Sequence, residues 1–176
     1  MTVLFFARRF YPLIGGVEKH VLEVGKRLVK KGHRVIVITE DEKNTNSKNQ
    51  QSALLSATIE GIEIIRISAG NEGKLKKFRV WLQLLKHIGI IKSADIVHCH
   101  DIFFWYLPFR FLFPLKKVYT TFHGYEGNNI PNKKAILMHK LAEKLSFGNI
   151  CVGYFLKKSY EILEKANCSH ELLDGI

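Results

Sequence analysis

Short apolar runs alternate with amphipathic stretches along most of the chain. Six runs have the continuous apolar character typical of strands buried on both faces, and they lie at 3–7, 35–39, 61–67, 94–100, 118–122 and 149–152. Apolar residues at helical spacing predict helices at 17–29, 75–88, about 132–145 and 155–166. Because helices separate most of these strands, the crossover connections require a parallel sheet. The sequence therefore predicts one α/β domain over residues 1–176, a doubly wound, Rossmann-like sheet with helices on both faces.

A pair of glycines separates the first predicted strand from the first predicted helix. Gly15 and Gly16 place no β-carbon at this turn, and the helix that follows begins with unpaired N–H groups and the positive end of its dipole. This combination favours binding of a phosphate or a sugar phosphate. The alternative is that the glycines only permit a tight turn. The pattern matches neither the dinucleotide-binding fingerprint nor a P-loop.

Polar residues and one glycine lie at the carboxyl ends of three predicted strands or directly after them. They are Arg8, Arg9, His100, Asp101, His123 and Gly124. The carboxyl ends of parallel strands meet at one edge of the sheet, and ligands bind beyond that edge in doubly wound folds. We therefore expect these residues to lie close together in a binding site.

Histidine is the side chain at this edge with the most informative chemistry. His100 and His123 stand at strand ends, where an imidazole can donate to a sugar hydroxyl or phosphate oxygen, or transfer a proton near neutral pH. His98 shares a strand face with His100 but lies deeper, and we expect it to pack inside the fold.

The charge and the cysteine content of the chain indicate what kind of partner it binds and which compartment it occupies. The 27 lysines and arginines exceed the 16 aspartates and glutamates, so the formal charge of +11 favours an anionic partner such as a phosphorylated substrate or a membrane surface. A nucleic-acid partner is not expected, because no recognition-helix or RNA-binding motif is present. The widely spaced Cys99, Cys151 and Cys168 indicate free thiols, and no basic region precedes the first apolar run. We expect a cytoplasmic protein without a metal site.

The segment 102–115 is strongly aromatic and follows the fourth strand. Pro108 and Arg110 interrupt it, and it is too short to cross a bilayer, so it is predicted to pack as a crossover helix. Lysines at 116 and 117, together with the basic stretch 74–79, also suggest a peripheral contact with an anionic membrane, at its inner face.

Four motifs occur in an order that carries a family resemblance. The segments 10–18 (FYPLIGGVE), 31–35 (KGHRV), 95–100 (DIVHCH) and 121–124 (TFHG) resemble the N-terminal domain of glycosyltransferase family 4 enzymes of the GT-B architecture. The resemblance implies sugar transfer from a nucleotide-sugar donor to an acceptor, usually with retention and without a required metal or cofactor. It also implies a second, C-terminal domain that carries most donor contacts. Because that domain is absent from this chain, we expect the chain to be inactive alone.

The resemblance also implies roles for individual residues. Gly15 and Gly16 match the loop near the donor diphosphate and the acceptor, and His123 matches the histidine close to the transferred sugar, which makes it the catalytic candidate. Further donor or acceptor contacts are implied for Glu18, His100, Asp101 and Gly124.

Three questions stay open at this point. Glu18 also favours the helix dipole, and this can be its whole role. Arg8 and Arg9 are not family-defining; they either contact a phosphate of the acceptor or remain solvated. The acceptor is predicted to be a sugar or a lipid-linked molecule. The alternative to an enzyme is a non-catalytic binding module for a membrane surface, an anionic ligand or nucleic acid.

Overall fold

The computed structural model describes residues 1–13, 15–41, 58–68, 70, 73, 75–124 and 133–152. The helix predicted at 155–166 and most of the polar segment that follows the second strand lie outside these residues.

A seven-stranded sheet forms the centre of the fold, in the order β3-β4-β2-β1-β5-β6-β7. The strands are β1 (Thr2–Ala7), β2 (Arg34–Glu40), β3 (Thr58–Ile59), β4 (Ile62–Ile67), β5 (Ile96–His100), β6 (Lys117–Phe122) and β7 (Gly148–Cys151). All neighbouring strands pair in parallel except β3 and β4. The α/β doubly wound prediction is confirmed.

The fully parallel sheet predicted from the sequence is wrong at one edge. There β3 pairs with β4 in an antiparallel hairpin. Glu60 and Gly61 both have positive φ, 52° and 79°, which is the backbone of a two-residue hairpin turn that matches the twist of the strands.

Five helices are seen in the described part of the chain. They are α1 (Gly16–Lys30), α2 (Lys76–Leu85), α3 (Ile88–Ser93), α4 (Phe103–Leu112) and α5 (Lys133–Leu145). The single helix predicted at 75–88 ends instead at Leu85, and a second helix begins after His87, whose φ of −107° and ψ of 17° are not helical. No helix among the described residues is long and apolar enough to cross a membrane.

Pro108 lies inside α4. A neighbouring helix compensates for the backbone hydrogen bond that this proline cannot make. Proline has no N–H for the carbonyl four residues earlier, which is that of Phe104. The indole N–H of Trp81 in α2 donates to this carbonyl at 2.9 Å. The side-chain bond therefore replaces the missing backbone bond and fastens α2 to α4.

The two faces of the sheet carry different cores. On the α1 face, buried residues of β1, β2 and β4 pack mainly against α1, and they are largely aliphatic. On the opposite face, here called the aromatic face, α2 to α5 pack on the sheet, and α4 contributes the large buried side chains Trp105, Tyr106 and Phe109. Side chains alternate between faces along a strand. In β5, Val97 and Cys99 therefore belong to the aromatic face, whereas His98 and His100 belong to the α1 face.

Candidate functional site

A cavity of about 540 Å³ opens at the carboxyl edge of the sheet. It lies where β1, β2, β5 and β6 end and where α1 and α2 begin, which is the position expected for a ligand in a doubly wound fold. Its lining residues are Arg8, Arg9, Val17, Glu18, Glu40, Gly73, Lys76, Lys77, Val80, His100, Asp101, Ile102, Phe104, Trp105, His123, Gly124 and His139.

The structure brings together most of the residues predicted for the site. The predicted residues that line the cavity are Arg8, Arg9, Glu18, His100, Asp101, His123 and Gly124. Gly15 and Gly16 are exposed and stand directly before the lining residues Val17 and Glu18, so they adjoin the cavity rather than line it.

Gly15 and Gly16 differ in the space that surrounds them. A β-carbon at Gly15 would collide with the carboxylate at the flexible end of the Glu18 side chain, so a larger residue at position 15 would require that side chain to move. A β-carbon at Gly16 would have no heavy atom within 4 Å. Contacts among the described residues therefore do not require glycine at position 16, and a ligand could use that open space.

Four imidazoles form a cluster on the α1 face beneath the cavity. His98 and His100 come from β5, His123 from the end of β6, and His20 from the second turn of α1. The ring of His100 lies 4.4 Å from that of His98 and 5.4 Å from that of His123, between ring centroids. The ring of His20 stands edge to face with that of His123, at 5.0 Å.

Hydrogen bonds fix three of the four rings of this cluster. Nε2 of His98 lies 2.6 Å from Oγ1 of Thr121, and Nδ1 of His100 lies 3.1 Å from Nε2 of His123. Nε2 of His100 is buried and has no hydrogen-bond partner within the part of the chain that the structure describes. His98 does not line the cavity, which agrees with the expectation that it packs inside the fold.

Burial keeps these imidazoles neutral. Desolvation lowers the pKa of His123 to about 4 and the pKa of His98 to about 3, and nearby imidazoles add to both shifts. Burial also lowers the pKa of His20 and holds the pKa of His100 well below its ordinary value. At neutral pH the site therefore presents uncharged rings, each with one N–H and one lone pair.

Asp101 positions the end of β6 relative to β5. Its φ of 58° places it in the left-handed region, which aspartate tolerates better than most residues. Its Oδ1 accepts the backbone N–H of His123 at 2.9 Å, and its own N–H donates to the carbonyl of Thr121 at 3.0 Å. The carboxylate thus holds the chain where it carries His123 into the site.

Two basic side chains, those of Arg8 and Lys76, lie close to the carboxylate of Glu40, and all three line the cavity. Glu40, at the end of β2, lies 2.6 Å from Nζ of Lys76 and 3.6 Å from Nε of Arg8. Nζ of Lys77 lies 5.3 Å from the ring centre of Phe104. The lining includes four lysine and arginine side chains against three carboxylates, so it favours an anionic ligand.

Three of the imidazoles also have the spacing of metal ligands. Ring nitrogens of His20, His100 and His123 all lie within 4.8 Å of one another, so these residues could hold a transition-metal ion. The sequence shows no such cluster, because the three residues are far apart along the chain. The basic lining opposes a divalent cation, and binding one would break the bond between His100 and His123.

Comparison with known proteins identifies the family. The sequence model that describes the family Glycosyltransferase Family 4 matches residues 14–160 of this chain. The chain belongs to glycosyltransferase family 4. The resemblance carried by the four sequence motifs is thereby confirmed.

Individual relatives of this family 4 chain are longer proteins. A GDP-mannose:cellobiosyl-diphosphopolyprenol alpha-mannosyltransferase of Xanthomonas campestris is 32% identical over 127 residues, which cover 70% of this chain and 31% of that enzyme. One subunit of the human (Homo sapiens) phosphatidylinositol N-acetylglucosaminyltransferase is 27% identical over 94 residues, covering 53% of this chain and 19% of the human protein. The chain thus matches less than a third of the length of either relative.

A solved structure supports the same architecture. Sucrose-phosphate synthase from Thermosynechococcus elongatus superposes with a TM-score of 0.70 at 14% identity, over 96% of this chain and 47% of that one. At this identity the likeness shows the fold alone.

Sequence reasoning missed several residues that lie at or beside this cavity. His20, Glu40, Lys76 and Trp105 were not predicted to belong to it, although His20 contacts the predicted histidines and the other three line the cavity. Glu40 directly follows a predicted strand, so the rule that found His100 could have found it. His20 lies four residues after Gly16, hence on the same side of the helix.

Proposed function

We propose that this chain is the acceptor-side domain of a glycosyltransferase that moves a sugar from a nucleotide-sugar donor to a lipid-linked acceptor, with retention. The observation that carries the proposal is the cavity at the carboxyl edge, which combines the neutral His123, the first turn of α1 and a basic wall. A C-terminal domain of the same protein would supply most donor contacts and face this edge. No metal or cofactor takes part in the proposal.

The donor and acceptor groups would use different parts of the cavity. The diphosphate of the donor would approach the start of α1, where Gly16 leaves space beside unpaired N–H groups. The sugar would lie against His123, whose backbone is fixed by Asp101. A phosphate of the acceptor would lie near Arg8 and Arg9, for which guanidinium groups are suited.

Helix α2 supports an acceptor that is anchored in a membrane. Lys76, Lys77 and Val80 of this segment line the cavity. Four apolar side chains beside them are exposed to solvent, namely Leu75, Phe78, Leu82 and Leu85. Between residues 73 and 94 the sequence has no aspartate or glutamate. An apolar stripe among basic residues suits an anionic lipid surface, here proposed to be the inner face of the cytoplasmic membrane.

The relatives favour this class of substrates. The Xanthomonas enzyme is named for GDP-mannose and for an acceptor linked to diphosphopolyprenol, and the human protein is named for phosphatidylinositol. Both names describe a lipid that carries phosphate, which would match the basic wall and the exposed stripe of α2.

Sugar transfer is tested with the protein encoded by the complete reading frame that contains this sequence. Labelled nucleotide sugars are offered with extracted membrane lipids as acceptors, and products are resolved by mass spectrometry. We expect a glycosylated lipid whose formation falls at least 100-fold in His123→Ala, the range that one acid–base or hydrogen-bonding group commonly contributes. His33→Ala, at the opposite end of the sheet, serves as the matched control.

Membrane contact is tested separately by sedimentation with vesicles that contain phosphatidylglycerol. Phe78→Ser and Leu82→Ser should each lower the vesicle partition coefficient about tenfold or more, because insertion of one such side chain contributes about 1.5–3 kcal/mol. Leu137→Ser is the control, because Leu137 is also exposed, at 56%, but lies on α5. Equal loss in all three variants would contradict docking through α2. Vesicle binding without any sugar transfer would favour the non-catalytic binding module.

A further inference from the structure

The hydrogen bond between His100 and His123 restricts which ring nitrogen carries each proton. Both imidazoles are neutral at pH 7, since burial lowers both pKa values. A bond between two neutral rings, here 3.1 Å from Nδ1 of His100 to Nε2 of His123, uses one N–H and one lone pair. Only two arrangements exist: either His100 donates, or His123 donates.

The buried environment of His100 distinguishes the two arrangements. If His123 donated, His100 would carry its proton on Nε2, which is buried and has no acceptor among the residues that the structure describes. If His100 donates, Nε2 carries only a lone pair. A buried N–H without an acceptor is rarer in folded proteins than an acceptor left without a donor. The ring is 1% exposed and lies against Phe5 and His98, so bulk solvent does not reach Nε2.

We propose that His100 is a positioning residue: it donates its Nδ1–H to Nε2 of His123 and thereby holds His123 as the tautomer that carries its proton on Nδ1. Two further contacts hold the ring in place, since the backbone N–H of His123 is bound to Asp101 and the ring of His20 packs edge to face against it.

This tautomer defines what His123 offers to a ligand. Nε2 is occupied as an acceptor, while Nδ1 has no hydrogen-bond partner among the described residues and belongs to a ring that lines the cavity. His123 is then an N–H donor for a hydroxyl or phosphate oxygen. It cannot accept a proton on Nε2 unless the bond to His100 breaks. In sugar transfer, which rests on the proposed function, the ring would bind and polarise oxygen rather than act as a general base.

The protonated nitrogen can be observed directly by NMR. The chain is labelled with ¹⁵N-histidine, and two-bond ¹H–¹⁵N correlations at pH 7.5 separate protonated from lone-pair nitrogens in each ring. His123→Gln and His100→Asn assign the two signals. We expect Nδ1–H in both rings. A proton on Nε2 of His123, or rapid averaging between both nitrogens, would overturn the proposal.

Two variants at position 100 separate positioning from packing. His100→Asn keeps an N–H near the place of Nδ1 and should retain the Nδ1–H tautomer of His123. His100→Leu removes the donor and should give a mixture of tautomers. An unchanged spectrum in His100→Leu would show that His100 does not set the tautomer. If neither variant folds, the wild-type spectrum alone decides. His33→Gln is the control and should leave the His123 signals unchanged.

The tautomer and the proposed function can fail independently. The NMR measurement needs no donor, acceptor or second domain. In the complete reading frame, His100→Leu should lower kcat/KM about tenfold, the worth of one net hydrogen bond, and His100→Asn should restore most of it. Absence of sugar transfer would remove the proposed function and leave the tautomer assignment intact.

Discussion

The two faces of β5 and β6 carry side chains of opposite character, mainly apolar on the aromatic face and polar on the α1 face. On the aromatic face, Val97, Cys99 and Val118 are fully buried among apolar side chains. On the α1 face, the alternate positions of β5 carry His98 and His100, which bond to β6 and to its following residue. A residue pattern of period two thus separates a hydrophobic core from a polar cluster within one strand.

The comparison shows why a buried polar cluster is tolerated here. The aromatic face receives four helices and supplies large apolar contacts, whereas most of the buried residues on the α1 face belong to β1, β2, β4 and α1. Polar side chains in β5 are stable because hydrogen bonds to Thr121 and His123 partly replace the water they lose. The aromatic face should therefore dominate stability, and the α1 face should dominate its dependence on pH.

Removing a large side chain from the aromatic face should have the largest effect. Trp105→Ala deletes a side chain that is 2% exposed, and we expect a loss of about 3–5 kcal/mol in the free energy of unfolding. Urea denaturation followed by circular dichroism measures it. Leu115→Ala is the control: Leu115 is 94% exposed, and its loss should change stability by less than about 0.5 kcal/mol. A loss below about 1 kcal/mol for Trp105→Ala would contradict the comparison.

Lowering the pH should destabilise the fold mainly through the buried histidines of the α1 face. The folded state holds the pKa of His123 at about 4, below its ordinary value, so between those two values the unfolded chain binds a proton that the folded chain does not. The stabilisation is fully present above about pH 6.5 and is lost as the pH falls, by about 1.4 kcal/mol per unit for each such histidine.

Urea midpoints from pH 7.5 to 4.5 test this prediction. His123 alone should contribute a loss of about 2–3 kcal/mol over the range from pH 6.5 to 4.5. His123→Gln should flatten the profile, while His33→Gln should not. A profile that is equally steep in both variants would remove His123 as a source of the pH dependence.

Replacing Asp101 should have a smaller effect, which separates its side chain from its backbone. Asp101→Ala loses the acceptor for the His123 N–H and places alanine, which tolerates the left-handed region less well than aspartate, at a φ of 58°, so we expect a loss of about 1–3 kcal/mol. Asp101→Gly keeps the conformation without strain and should be about 1 kcal/mol more stable than the alanine variant. Thermal unfolding of both variants gives the difference. Equal stability would mean that the left-handed backbone carries no cost.

Much of the fold follows from simple patterns. The six apolar runs are confirmed as strands, and the helices expected at 17–29 and near 132–145 form with small shifts at their ends. The two-residue strand β3 was not predicted, because it is too short to show a period. The break between α2 and α3 also escaped prediction, because apolar residues continue through it at helical spacing.

Residues of the candidate site could be predicted only where they lie at the carboxyl ends of strands. Arg8 and His123 directly follow strands and His100 is the last residue of one, so the positions of these strand ends placed all three at one edge. Lys76 reaches the cavity from α2 through its ion pair with Glu40, a contact that depends on how the helix is packed. The bond between the two histidines depends on the pairing of β5 with β6, whose register aligns His100 with Thr121. Such contacts require three-dimensional information.

The place of β1 in the centre of the sheet has a consequence for the order of folding. Among the strands of this sheet, β1 is synthesised before the others, and β2 can pair with it soon afterwards, but its other neighbour β5 begins only at residue 96. At ribosomal rates of about 5–20 residues per second, one flank of β1 remains without its partner for roughly 5–20 s. That flank, carrying Leu4, Phe5 and Phe6, is an unprotected apolar strand edge during this interval. Nascent chains of this domain should therefore depend on chaperones until β5 has emerged.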